Sequence, residues 1–431
     1  SITSTKKNEP PQTNERTKTR NQSAIAIGPH KRIALAYTSA MQTRNNHTQW
    51  LKAQNWQAVL EDPETLPEAI RQHLETENTL SEQWLGGPDS RQWILDELKS
   101  TIRDADESVP IQDGRYRYWQ RFVAGAEHPD FLRQDENGAT EVLLCGDQRA
   151  EGTDYYDVGS ADHSRDHRVF AVTEDLHGSE RYTLSLFEAG SAHVIETPLT
   201  DCRGDFEWGS DSQTLVYTRL DEHQRPSSVW CHRVGTDQSE DVLVFALDHP
   251  GRFFGLGKTS TEAWITIDSH DHQTNQCFLL PADLQSLTPI PVTDWIPELE
   301  YEIEQVGDQL LLRANYEHPD YALFVAPIPT TEQMANPESW RLLWAPEDGE
   351  LFTDYEVLAS HWVVEISREG CGRYLICESN LDAFEIRMPI PLPTEIHDSH
   401  LDPLPGHNRD QIRMRYSTPA TPPSVLEIDL T

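Results

Sequence analysis

The sequence predicts a mainly β fold: a seven-bladed β-propeller carrying an N-terminal α-helical extension. Three observations lead there. Turns centred on Gly114, Arg165, Asp211, Thr261, Asp308, Ser360 and Arg409 recur at spacings of 51, 46, 50, 47, 52 and 49 residues. A period of this size with strand-like texture marks one four-stranded blade per repeat. The turns lie between short runs in which apolar and polar residues alternate, the period-2 pattern of a half-buried strand. Ahead of the first turn the apolar spacing is instead helical.

Residues 1–40 are rich in Asn, Thr, Lys and Arg and show no apolar periodicity before Ile25, which predicts a mostly disordered segment. The chain opens on Ser1 rather than Met and is read as processed or partial; its start has no secretory apolar core, since 33–37 is too short a patch. Residues 41–108 are expected to form a helical extension. Trp50, Leu51, Trp56, Val59 and Leu60 precede Asp62-Pro63, a helix stop. Ile70, Leu74, Trp84 and Leu85, then Trp93, Ile94, Leu98 and Ile102, follow at about helical spacing.

From 109 to 431 the texture is β. In Tyr116–Phe122 aromatic and polar residues alternate, and similar runs cover 169–173, 214–218, 263–267, 309–313, 362–366 and 412–416. Each follows a turn rich in Asp, Ser, Gly, Asn or His, as a hairpin loop requires. One sheet cannot bury both of its faces alone, so the repeats must stack around an axis. A WD40-type propeller is not expected, because no Gly-His…Trp-Asp pair recurs at a fixed offset.

The formal charge is −37. Residues 1–40 hold seven Lys/Arg and two Asp/Glu, leaving 28 basic and 70 acidic residues in the remainder, a net of −42. Such a body repels nucleic acid and anionic membrane and favours basic ligands; acid spread over the surface as an adaptation to salt is the other reading, and both can hold. No apolar run approaches the roughly 18–20 residues that span a bilayer. The six cysteines lack C-x-x-C spacing and read as reduced thiols of a cytoplasmic protein.

Four stretches resemble the prolyl oligopeptidase family of serine peptidases, particularly its oligopeptidase B branch. They are Leu60-Glu61-Asp62-Pro63 with His73-Leu74-Glu75-Thr76-Glu77-Asn78; Asp113-Gly114-Arg115-Tyr116-Arg117-Tyr118; Val234-Gly235-Thr236-Asp237-Gln238-Ser239-Glu240-Asp241-Val242-Leu243; and Arg415-Tyr416-Ser417-Thr418-Pro419-Ala420-Thr421-Pro422. Together they run through about 45–431 in family order. The resemblance implies a helical N-terminus, a seven-bladed propeller and a C-terminal α/β-hydrolase domain carrying Ser, Asp and His. It places the end of the propeller near Thr431, so the peptidase domain is expected to be missing from this chain. Residues 1–40 do not look like the family's N-terminus.

The catalytic motifs agree. A hydrolase nucleophile needs G-x-S-x-G, and the sequence has none; Ser160, Ser179, Ser191 and Ser210 follow Gly at the wrong offset. No catalytic residue is expected. Gly255-Leu256-Gly257-Lys258-Thr259 imitates a phosphate loop, but Arg252 stands where that motif needs Gly. His163 with His167, and His270 with His272, have spacings that invite a metal. The first pair flanks a hairpin turn, where i and i+4 do not share a face, and no third ligand has suitable spacing, so neither metal nor cofactor is expected. The resemblance further implies propeller loops that line the substrate cavity: Arg203, where oligopeptidase B relatives often carry Glu, and His270 and His272.

The expectation is thus a non-catalytic propeller that gates short basic peptides to an absent α/β-hydrolase domain. A free-standing propeller that binds a peptide or protein partner is the alternative.

Overall fold

The computed structural model describes residues 48–430 apart from 192, 248, 250, 394 and 395. The expected disordered segment 1–40 lies outside the described residues. The chain divides into two compact units, 1–91 and 92–431.

Helices occupy α1 (Trp56–Glu61), α2 (Glu68–Trp84) and α3 (Gly87–Thr101). Asp62 ends α1 because it precedes Pro63 and is driven extended (φ −144°); its carboxylate then accepts the Glu64 amide at 3.0 Å. Gly86 and Gly87, at φ 81° and 77°, break the run between α2 and α3. Ile70 is buried, whereas Trp84 and Trp93 are 57% and 67% exposed. No helix among the described residues is long and apolar enough to cross a membrane.

The remainder is β-structure in six sheets among the described residues. The first joins β1 (Asp106–Glu107), β2 (Ile111–Asp113), β3 (Tyr116–Phe122), β4 (Asp130–Gln134) and β5 (Thr140–Cys145). After a short α4 (Gly146–Ala150) the second runs without a break through β6 (Asp157–His163), β7 (Val169–Asp175), β8 (Tyr182–Glu188), β9 (Leu199–Trp208), β10 (Thr214–Leu220), β11 (Pro226–Arg233) and β12 (Val242–Ala246). The third holds β13 (Phe253–Lys258), β14 (Trp264–His270), β15 (Asn275–Pro281) and β16 (Ile290–Pro291). The fourth holds β17 (Tyr301–Val306), β18 (Gln309–Ala314), β19 (Ala322–Pro327) and β20 (Arg341–Trp344). The fifth holds β21 (Glu350–Val357), β22 (His361–Arg368), β23 (Cys371–Glu378) and β24 (Ile386–Pro389), and the sixth β25 (Asp398–Leu401), β26 (Gln411–Thr418) and β27 (Thr421–Asp429).

All seven predicted turns lie between antiparallel partners, from β2–β3 at Gly114 to β25–β26 at Arg409. The arrangement is that of a propeller. The count of seven separate four-stranded blades is corrected, however: there are six sheets, five of them with four strands or more. The cause is β9, ten residues long, which pairs with β8 at one end and β10 at the other. Its middle carries Gly204 at φ 123°, and the register slips on both sides. The sheet bends there, so that Ala171, Leu184 and Leu186 of one half share a core with Leu215 and Tyr217 of the other. The last sheet, for its part, has only three strands.

Apolar layers fill the spaces between successive sheets. Leu279 and Val292 meet Leu310 and Phe324 between the third and fourth sheets, and Leu311 and Leu323 meet Trp362 and Val364 between the fourth and fifth. Middle strands such as β7, β18 and β22 are therefore buried nearly throughout, and apolar residues stand at adjacent positions there, as in Leu310-Leu311-Leu312, rather than in strict alternation. Arg413 of β26 joins the two ends of the ring: its guanidinium donates to the carbonyls of Val109 and Pro110 at 3.4 and 2.7 Å and pairs with Glu427 at 2.6 Å.

The 234–243 stretch folds into a lock beside β11. Asp241 accepts from His232 Nδ1 at 2.6 Å and from Arg219 at 2.8 Å, while His232 Nε2 reaches Glu196 at 2.7 Å. Gly235, at φ 88°, donates its amide to the other oxygen of Glu196. The six cysteines are free, four of them buried.

Candidate functional site

The first strand of a repeat lends its side chains to the propeller axis, and alternation decides which. On β9 these are Asp205 and Glu207, on β17 Glu302 and Glu304, on β21 Asp354 and Glu356. Two residues apart, each pair shares one face of its strand. The residues between them, Phe206, Ile303 and Tyr355, turn into the cores. The second member of every pair stands four positions before a predicted turn centre (Asp211, Asp308, Ser360). This repeated acid-x-acid signal was available in the sequence and was missed.

Two cavities lie along these strands. One, of about 710 Å³, is lined by Asp113, Asp162, Glu207, Glu304, Glu356 and their neighbours. The other, of about 440 Å³, is lined by Asp268, His270, Glu302 and Arg313 among others. Lys258 borders both, and Glu302 and Glu304 line one each. The imitation phosphate loop is thus inner strand β13, with Lys258 pairing Glu207 at 3.2 Å.

Burial against the channel wall raises the carboxyls of Asp162, Asp205, Glu207, Asp268, Glu302, Asp354 and Glu356 above their usual range. Nearby cations oppose the rise at several of them: Lys258 at Glu207, Arg313 at Glu302, Arg409 at Glu356. Glu304 is pushed up to about 7 by burial, despite accepting from the amide and hydroxyl of Ser260 at 2.7 and 2.8 Å. Carboxylates outnumber the cations among these groups, so the channel attracts positive charge.

The three residues expected to face substrate behave differently from one another. His270, at the end of β14, borders the 440 Å³ cavity with its Nδ1 3.3 Å from Asp268. Arg203 of β9 donates to the carbonyl of Phe254 at 3.1 Å, next to Phe253, the register partner of His270. Both therefore stand at one end of the β13–β14 hairpin. His272 is exposed in the following turn.

The structure brings the other histidine pair together across its hairpin turn. His167 adopts φ 61°, which folds its ring back to 4.5 Å from that of His163. The third group comes from the preceding repeat: Asp113, whose carboxylate lies 3.2 Å from His163 Nε2. Sequence spacing hid it, because that carboxylate is fifty residues upstream of His163 and one sheet away.

Fold and channel together define the class, a β-propeller with an acidic passage along its axis. Residues 41–431 match the family described as prolyl oligopeptidase, N-terminal beta-propeller domain. The chain belongs to this family. It is similar to Protease 2 of Moraxella lacunata, 25% identical over 308 residues that cover 69% of this chain and 43% of that protein. It is also similar to dipeptidyl aminopeptidase BI of Pseudoxanthomonas mexicana, 22% identical over 358 residues, 78% of this chain and 48% of that one. Oligopeptidase B from Leishmania major shares the fold with a TM-score of 0.79 at 24% identity, over 90% of this chain and 55% of that one. The chain spans about half the length of the curated relatives it matches.

Proposed function

We propose that these residues form the non-catalytic propeller portion of an oligopeptidase B-like serine peptidase, which gates short basic peptides toward an α/β-hydrolase domain. The observation that carries this reading is the channel, with paired carboxylates on three inner strands and few cations to neutralise them. An extended peptide bearing Lys or Arg gains charge-assisted contacts there, while a folded protein is too wide to enter. The acidic surface speeds encounter with such peptides by on the order of 10–10³ at low salt, and it disfavours nucleic acid and anionic membranes as partners. Arg203, His270 and His272, at or near one end of the β13–β14 hairpin, serve in this reading as substrate-facing residues. Exposed Trp50, Trp56, Trp84 and Trp93 supply apolar surface for the hydrolase domain. We place the protein in the cytoplasm, where its six thiols stay reduced.

The test is binding of a fluorescent Arg-Arg peptide to this chain at low and high salt, beside a Glu-Glu peptide of the same length and label. The cationic peptide is expected to bind, to weaken as salt rises and to remain uncut. Equal binding of the anionic peptide, or turnover blocked by a serine-directed reagent, overturns the proposal.

A further inference from the structure

The cluster at Asp113, His163 and His167 stands at the turn end of the first two repeats, on the wall of the 710 Å³ cavity. Each residue offers one ligand atom, and the three atoms lie within 4.8 Å of one another. Tetrahedral zinc with ligands at ~2.0–2.2 Å sets neighbouring ligand atoms ~3.3 Å apart, and the 3.2 Å between His163 Nε2 and Asp113 Oδ2 already has that value.

What surrounds the cluster fixes which atoms face inward. His163 Nδ1 lies 3.0 Å from the carbonyl of Ser164, so it carries the proton and donates, leaving Nε2 toward Asp113. His167 Nδ1 is held 2.8 Å from the hydroxyl of Tyr118, so its Nε2 is the free nitrogen. Metal-binding imidazoles are oriented in this way, with one nitrogen tied to an oxygen and the other left for the ion. The Tyr118 ring also stacks on His163 at 4.2 Å and 23°.

Two backbone features point the same way. A Cβ on Gly114 would lie 2.8 Å from His167 Nε2, so only glycine next to Asp113 lets that nitrogen approach. His167 itself turns its hairpin at φ 61°, which carries its ring to 4.5 Å from that of His163. All three residues border the 710 Å³ cavity, so a fourth ligand position opens to water.

We propose that Asp113, His163 and His167 bind a divalent transition-metal ion of the zinc type, which clamps the first repeat's hairpin to the second's. Two imidazoles and one carboxylate suit Zn²⁺ or Co²⁺ better than the hard, oxygen-seeking Ca²⁺ or Mg²⁺. An ion bound to the folded chain and not to the unfolded one raises the melting temperature in proportion to the logarithm of its concentration.

The test uses the whole chain, stripped with a chelator and titrated with Co²⁺ and Zn²⁺ near neutral pH. Expected are one ion per chain, the visible absorption of low-coordinate Co²⁺, and a higher melting temperature with Zn²⁺. Asp113→Asn, His163→Gln and His167→Gln should each weaken binding at least tenfold, and His270→Gln should not. Should these variants misfold, NMR of the wild-type chain with nitrogen-labelled histidine decides: two imidazole Nε2 signals must shift on adding Zn²⁺. No stoichiometric binding by the wild-type chain, binding untouched in all three folded variants, or shifts confined to other histidines overturns the site.

Discussion

His232 and Asp241 meet at 2.6 Å, both side chains fully enclosed, with Glu196 2.7 Å from the far side of the imidazole. An imidazole between two carboxylates is held charged, and these hydrogen bonds push the His232 pKa up to about 9 against the cost of its burial. A histidine bound more tightly to its proton in the folded state stabilises the fold fully below its unfolded value of about 6.5, and loses that contribution as pH rises through the folded value. The melting temperature should therefore fall between pH 6.5 and about 9. His232→Gln should be destabilised on the order of 3 kcal/mol at pH 6 and should flatten this decline. A pH series of thermal melts on both proteins checks it; an equal slope in the variant refutes the assignment.

Glu304 predicts a second, lower pH window. Its carboxyl titrates near 7 in the fold and near 4.5 when unfolded, so the folded chain holds the proton longer and loses stability as pH rises from 4.5 to 7. Glu304→Gln keeps an acceptor for Ser260 and removes the charge. It should melt higher than wild type at pH 8 and show no advantage at pH 4.

Arg413 predicts where the ring is weakest. It is 3% exposed and makes the contacts from the last sheet to Val109 and Pro110. Arg413→Ala removes the buried guanidinium that donates to the carbonyls of Val109 and Pro110 and should cost roughly 1–3 kcal/mol. Hydrogen exchange should then quicken first at 106–113 and in β26. Uniform quickening over all sheets would count against a seam.

Salt should stabilise the chain. A formal charge of −37 gathered into one fold repels itself, and screening relieves that repulsion. Melting temperature should rise by a few degrees from low to molar NaCl, and less so in Glu304→Gln. A fall with added NaCl would show that ion pairs such as Arg409–Glu356 outweigh the repulsion.

The turns were legible because turn chemistry is local. Gly114, Asp211 and Asp308 need no distant partner to mark a reversal. The helices were legible from the spacing of Ile70, Leu74, Trp93 and Ile94, although most of that apolar face is exposed. The sheet count was not, since the bend in β9 depends on how Ala171 and Leu215 pack across it, many residues apart. The 234–243 stretch was recognised as a family mark, yet its task of holding His232 charged required Glu196 from another loop. Paired acids such as Glu302 and Glu304 were in plain view, but only the stacking of sheets shows that they share a passage. Asp113 joined His163 and His167 only through the fold.

The strand β9 has a mechanical consequence. Because one continuous ladder of hydrogen bonds runs through it, the second and third repeats are welded and cannot part without breaking backbone pairing. Elsewhere successive sheets meet through side-chain layers and isolated backbone bonds, such as Phe352 to Asp320 and Ala359 to His407, which separate at lower cost than a continuous ladder. Any widening of the ring must be taken up at those looser joints, with the clasp at Arg413 among them, so the propeller is a bracelet with one rigid double link and not an evenly flexible hoop.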